Sequence, residues 1–367
     1  MARSKYNRIA FIANAIKACG KSSSLDKGLF EERVMFYRVR GRITIMGSNL
    51  RVDIETGEQL RDTVFYSPRS FSALKKTMGE FDLQLTETPP VPSWGDLLDS
   101  HDPAWVKDTA DVNALPPDMG ATFGPLLKTG DSPRPSLDFV FSYTGGAGGK
   151  DVPGGWVYTN GHFLALQACP GLDAGHNIPG DVVKLFQQGV TPAFSYVDPR
   201  HRDYVSVDAF TDTSDTLRIS AMTNERPPAS SSITAVFPDM TRPRLFTLSG
   251  ERMAEARLRK YDNTNTRLTA LYDENRVQLE HKIESTVVLT LDNVGEVDST
   301  DGMDIEVAKL VEKEQEAAHG YTAELLMAPL SVNEACLYEK FGDSRSPLMS
   351  RSYDGEWWFL VMPRRID

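Results

Sequence analysis

His162, Cys169 and His176 recur at intervals of seven, with His201 and Asp203 further along the chain. Such residues can supply a thiol nucleophile with its base, or three ligands of a zinc site that keeps one position open for water. That is the chemistry of a metal-assisted hydrolase. The spacing speaks against it, because zinc ligands usually come in pairs roughly two to five residues apart. Cys169, directly before Pro170, suits a buried structural thiol. The run Asp198-Pro-Arg-His-Arg-Asp203 gathers acid, base and cation on what reads as a loop between strands. Its His-Arg-Asp triplet matches a kinase catalytic loop only in isolation: Asp208 stands where asparagine is required, and no Asp-Phe-Gly follows. Mixed charges of this kind are ordinary in a solvated turn.

Two further stretches invite a ligand. Leu137 to Asp151 runs from β-prone residues into Thr-Gly-Gly-Ala-Gly-Gly-Lys150, the outline of a phosphate loop. The glycines are one residue too close, Asp151 replaces the magnesium-binding hydroxyl, and the following residues are β-prone instead of helical. The stretch therefore reads as a connection between two strands. Asp298, Asp301 and Asp304, with Asp292 upstream, could offer oxygens to calcium, but the order is not that of an EF-hand, and the bland alternative is an acidic, helix-capping loop. No cofactor is implied.

The elements that would carry these residues are mostly strands. Alternating apolar and polar residues from Arg33 to Ser67 predict a meander, and short strand signals recur from 137 to 248, among them Trp156–Leu166, Ala193–Val197, Leu217–Met222 and Ile233–Phe237. Residues 89–135 hold nine of the 22 prolines, with Trp94 and Trp105, and read as an extended segment that wraps a neighbour. Between Glu251 and Ile283, apolar residues return at steps of four and three, which predicts one long helix or a helical hairpin. Asn265 and Asn275 lie on or beside its stripe, where asparagine selects a packing partner. The chain closes with a hairpin at Asp354-Gly355. The fold class is α+β and β-rich, an antiparallel sandwich or barrel-like body with a few helices. Its parts are 1–88 (an amphipathic helix and a meander), 89–136 (the proline-rich segment), 137–248 (a β-rich domain) and 249–367 (helical, then α+β).

Charge is sorted along the chain. The net charge is −11, yet residues 1–43 carry ten Lys or Arg against three acids, a balance of +7 that leaves −18 for the remainder. Sorting of this kind marks an interaction surface, and it makes residues 1–43 a candidate nucleic-acid contact. Ile9, Ile12 and Ile16 fall on one face of an N-terminal helix that docks on the body or on a neighbouring subunit. No apolar run reaches the roughly 18 residues of a membrane span. The N-terminus does not read as a cleaved signal, since Asn14 and Lys17 interrupt it. Three scattered cysteines make no disulfide framework.

The leading expectation is a non-catalytic, self-assembling structural protein, intracellular or part of a virion, forming homo-oligomers through Ile9, Ile12, Ile16, Trp94, Trp105, Asn265 and Asn275. A cationic N-terminus ahead of an acidic body of short strands resembles, in layout, the coat proteins of non-enveloped viruses, which implies a shell subunit. The alternative is the metal-assisted hydrolase built on His162, Cys169, His176, His201 and Asp203.

Overall fold

The structure is a computed structural model that describes residues 5–19, 35–39, 42–46, 50–56, 110–127, 138–146, 152–198, 201–213, 215–223, 228–242, 244–255, 265–271, 276–281, 286–292, 319–333, 335–342 and 345–363. It is α+β and strand-rich, as its sequence pattern requires. The chain divides into two compact units, the first made of Met1–Gly124, Phe139–Phe141 and Asp173–Pro227, the second of the remainder.

In the first unit, helix α1 (Arg8–Cys19) begins where Asn7 accepts the Ala10 backbone N–H at 3.0 Å, an N-cap. Phe11, Ile12, Ala15 and Cys19 are buried along one face, and the helix packs on β2 and β3 of its own unit. Strands β1 (Met35–Val39), β2 (Arg42–Met46) and β3 (Leu50–Glu55) form the expected meander. Strand β4 (Asp111–Ala114) and helix α2 (Met119–Leu126) arise from the proline-rich segment. Next come β5 (Phe139–Tyr143), which begins in this unit and ends in the other, and, within the second unit, β6 (Gly155–Thr159) and β7 (Phe163–Ala168). Back in the first unit, β8 (Asn177–Pro179) pairs with Phe139–Phe141, and helix α3 (Gly180–Leu185) ends before Gly189, whose φ of +77° suits glycine. Strands β9 (Val190–Asp198), β10 (His201–Thr211) and β11 (Thr216–Met222) complete an antiparallel sheet ordered β1-β2-β3-β11-β10-β9-β4.

Alternation decides which face of that sheet is core. Val205, Val207 and Ala209 of β10 are buried, as are Leu217, Ile219 and Ala221 of β11, while Tyr204, Ser206, Asp208 and Arg218 between them are partly exposed. On the outer face Asp208 receives a two-pronged bond from Arg218 at 2.7 and 2.9 Å, and Asp53 is held by Arg51 at 2.7 Å and Thr44 at 2.5 Å. Arg218 lies directly opposite Asp53 across β11–β3, so charge alternates across the strands.

In the second unit, helix α4 (Ser230–Val236) precedes β12 (Arg244–Ser249) and the short helix α5 (Gly250–Glu255). Strands β13 (Asn265–Leu271), β14 (Arg276–His281), β15 (Thr286–Asp292) and β16 (His319–Thr322) make a sheet ordered β15-β14-β13-β16. Helix α6 (Ala323–Val332) leads to β17 (Cys336–Phe341), β18 (Leu348–Ser352) and β19 (Trp357–Val361), which continue the order β12-β17-β18-β19-β7-β6. Fully buried Glu339 is clasped there by Arg351 at 2.6 Å and Arg244 at 3.1 Å.

Several expectations need correction. The long helix or helical hairpin near 250–284 is absent: α5 ends at Glu255, and 265–281 forms the hairpin β13–β14. Leu268 and Leu279, members of the supposed helical stripe, sit opposite each other in that antiparallel pair, so two paired strands reproduced a helical spacing. Asn265 opens β13 opposite Thr322. Ile233–Phe237 lies largely in a helix, Trp156–Leu166 is two strands around the turn at Asn160-Gly161, and the expected loop at 198–203 is mostly strand, with β9 ending at Asp198 and β10 beginning at His201, which pairs with it. Trp94, Trp105, Asn275, Asp298, Asp301 and Asp304 lie outside the described residues.

The N-terminal helix is tied down by charge. Arg8 donates Nε and a terminal nitrogen to both oxygens of Asp215, each at 2.7 Å, and the Asp215 side chain is 1% exposed. Asp215→Ala strands the arginine, and breaking a buried pair costs about 3 kcal/mol. The expected outcome is a urea midpoint lowered to match, with the denaturant slope unchanged.

Candidate functional site

Asn113 of β4 lies opposite Ser195 of β9. Its amide nitrogen donates to the Asp173 carbonyl at 2.8 Å, and its oxygen accepts the Asp173 N–H at 2.7 Å, which pins the loop ahead of β8. That loop delivers His176, whose Nδ1 lies 2.8 Å from the Ser195 hydroxyl. A histidine on a serine suggests a nucleophile and its base, but both side chains are wholly buried, and burial lowers the imidazole to about 4. A neutral ring with no approach for substrate serves as a staple between loop and sheet.

The other predicted site residues are not gathered around it. His162 and Cys169 belong to the second unit, while His176, His201 and Asp203 belong to the first. His162 is exposed in the β6–β7 turn, with its N–H on Asn160 and its carbonyl accepting Met362 N–H at 3.0 Å. Cys169 is half-buried, its N–H bonded to the Gly154 carbonyl, and burial raises its thiol, the wrong direction for a thiolate nucleophile. Asp203 is exposed, its carbonyl holding Thr223 N–H at 2.7 Å. Among the described residues no group of three or more His, Cys, Asp or Glu is placed to hold a metal. The glycine-rich stretch leads from β5 to β6, with Gly145 and Gly146 at φ of +82° and +53° and Gly146 N–H bonded to Val152. It opens into a strand, so it lacks the helix N-terminus that a phosphate loop needs.

What the fold does arrange is charge. Helix α1 contains no Asp or Glu, and its exposed positions include Ala10 and Lys17, preceded by Lys5 and Asn7. Helices α2 and α4 contain no ionisable residue at all. In a chain with 51 acids among 367 residues, the exposed positions of α1 and α4 carry no carboxylate and do not repel a polyanion, whereas α2 is buried apart from Ala121 and part of Pro125. Buried Ile12, named above as an interface residue, belongs to the core.

No protein-family profile matches the sequence, and no curated protein does. Solved structures do. The DNA polymerase III beta subunit of Thermotoga maritima superposes with a TM-score of 0.61 at 12% identity, over 98% of each chain. The beta sliding clamp of Caulobacter crescentus gives 0.59 at 14%, over 100% of each chain. The DNA polymerase III beta subunit of Pseudomonas aeruginosa gives 0.58 at 12%, over 99% of this chain and 100% of that one. The fold is that of the DNA polymerase III beta sliding clamps.

This finding overturns both functional expectations drawn from the sequence. A cationic N-terminus ahead of short strands resembles a coat protein only in layout, and the fold matches clamps from end to end, so the shell-subunit and virion readings fall. The metal-assisted hydrolase falls with them, its residues split between the units. No helix among the described residues is long and apolar enough to cross a membrane. Sequence reasoning missed the carboxylate-free helices. The signal was present in Ser230-Ser-Ser-Ile-Thr-Ala-Val236, but it becomes legible only once that segment is known to be a helix.

His176 predicts a pH profile. The unfolded imidazole titrates near 6.5 and the folded one near 4, so the unfolded chain takes up the proton first. The staple's contribution is complete above pH 6.5 and is lost as pH falls towards 4, by about 3 kcal/mol. Urea midpoints across that range should fall in the wild type and stay flatter in His176→Asn.

Proposed function

We propose that this chain is a DNA sliding clamp, a non-catalytic protein that closes with copies of itself around duplex DNA and keeps a polymerase on its template. The observation that carries the reading is the likeness to clamps over 98 to 100% of both chains. A single shared domain would not support it so far. The charge layout agrees with it. A chain of net charge −11 cannot rely on electrostatic affinity for phosphates. A closed ring needs none: it stays on DNA by enclosure, and carboxylate-free exposed helices such as α1 and α4 let it slide without strong repulsion or tight binding. The basic balance of residues 1–43, a candidate nucleic-acid contact from the sequence, fits a weak phosphate contact through α1.

Enclosure and affinity respond differently to salt. Dilute protomers concentrated in the presence of nicked circular plasmid should assemble around it and then co-elute with it at roughly 0.5 M salt, where surface attraction is screened. Cutting the circle should release them. Light scattering should give an integral multiple of the 40.8 kDa chain mass. Loss from intact circles at high salt, or a mass that stays at one chain, would refute the clamp.

The contact through α1 is tested separately. Lys17→Glu should weaken low-salt binding to linear duplex by roughly three- to tenfold and lower the salt slope by about one. Retention on intact circles at high salt should not change.

A further inference from the structure

The sequence contains one Asn-Gly pair, Asn160-Gly161, and the fold places it in the β6–β7 turn of the second unit. The pair is chemically distinct. A side chain beside a backbone nitrogen hinders its attack on the preceding residue, and glycine has none, so its nitrogen can reach the carboxamide carbon of the asparagine. Gly161 is exposed, its φ is +86°, and a Cβ there would meet no atom within 4 Å. The turn is open to water at that point.

Two hydrogen bonds hold the reacting groups apart. Gly161 N–H donates to the Thr159 hydroxyl at 3.2 Å, and that hydroxyl donates to the Phe163 carbonyl at 2.8 Å, which sets its orientation. The Asn160 side-chain oxygen accepts His162 N–H at 3.1 Å, and Asn160 is only 9% exposed. The strands fix the backbone on either side: Thr159 lies opposite Leu164, and Asn160 N–H reaches the Phe163 carbonyl at 3.2 Å. Ring closure needs the carboxamide to leave His162 and the Gly161 nitrogen to leave Thr159, so it proceeds from an opened turn. Such local opening costs far less than global unfolding.

We propose that Asn160 is a site of spontaneous, backbone-driven deamidation gated by the Thr159 hydroxyl. The Gly161 nitrogen attacks Asn160 Cγ; an N–Cγ bond forms, the Cγ–Nδ2 bond breaks, and ammonia leaves with the proton from the Gly161 nitrogen. Water then opens the resulting ring at one of its two carbonyls, leaving either aspartate or an isoaspartate whose main chain runs through Cγ. Either product puts a carboxylate where a buried amide stood. The isoaspartate also lengthens the turn by one carbon, close to the His162 carbonyl that accepts Met362 N–H at 3.0 Å. The Asp354-Gly355 turn shares the glycine, at φ of +75°, but not the chemistry. Hydrogen bonds from the Ser352 hydroxyl and Glu356 N–H hold the Asp354 carboxyl below its usual range, and an ionised carboxylate offers no leaving group. The inference does not depend on enclosure of DNA.

The test incubates the full-length protein in mildly alkaline buffer, beside the same chain unfolded in urea, and maps asparagine conversion by digestion and mass spectrometry. Asn160 should convert ahead of every other asparagine in the folded protein, and more slowly than in urea. Thr159→Val keeps the branched shape and removes the acceptor, so it should speed conversion by roughly three- to tenfold, the contribution of one hydrogen bond. Thr159→Ser restores the hydroxyl and should convert at the wild-type rate. Circular dichroism melts establish that each variant is folded during incubation. Two results would each overturn the proposal: Asn160 intact in the folded wild type once the unfolded chain has fully converted, or a folded Thr159→Val that converts no faster than wild type. Should the valine variant not fold, wild type in low urea takes its place. Conversion at Asn160 should then rise in step with hydrogen exchange at Gly161 N–H, and a rate that stays flat while exchange rises overturns the gating.

Discussion

The first unit hangs on the pairing of β3 with β11. Residues 50–55 meet residues 216–221 in register, Thr216 against Glu55 through Ala221 against Leu50, and this contact joins the N-terminal meander to the hairpin that closes the β9–β10–β11 run. So long a loop stays closed only if the pairing outweighs the entropy lost in closing it. Both faces of the pair contribute. Inside, Val52 and Ile54 meet Leu217, Ile219 and Ala221, all buried. Outside, Asp53 faces Arg218. A slip of one residue would place Arg218 in the core and Ile219 in water, so the two patterns together fix a single register. Helix α1 then has a floor to lie on, and the Arg8–Asp215 pair ties it to the turn between β10 and β11.

The same rule governs charge throughout. Carboxylates taken out of water are met by arginine: Asp215 by Arg8, Asp53 by Arg51, Asp208 by Arg218, and Glu339 by Arg244 and Arg351. Removing one partner would leave the other desolvated, which is why these pairs hold geometry even where their net contribution is small. Helices α1, α2 and α4 carry no carboxylate, whereas α3, α5 and α6 carry Asp181, Glu251 with Glu255, and Glu324. Net charge describes such a molecule poorly, since −11 is a sum over faces of different character.

Legibility in the sequence followed the physics of each element. Half-buried strands declare themselves by alternation, so β10, β11 and the meander could be read directly. The Asp354-Gly355 turn of the β18–β19 hairpin could be read too, because Gly355 sits at φ of +75°, a conformation that favours glycine. Helix α4 could not: Ser-Ser-Ser-Ile-Thr-Ala-Val carries β-branched residues of poor helix propensity, and its Thr234 is engaged instead by Tyr143 at 2.7 Å and by the Ser230 carbonyl. The β13–β14 pair misled for the opposite reason, since leucines opposite each other on antiparallel strands imitated the period of a helix. Long-range pairing such as β3 with β11 leaves no local trace at all. The site candidates failed in the same way, because His162, Cys169 and His176 are evenly spaced in sequence but are carried by different elements and different units.

Sequence identity of 10 to 14% over nearly whole chains shows what this fold demands of its residues. Alternation needs apolar character at every second position, not a particular side chain, and a core of β-branched and aromatic residues tolerates exchange if volume is kept. Requirements of that kind are spread thinly over many positions, so two sequences can share few residues and still share a fold.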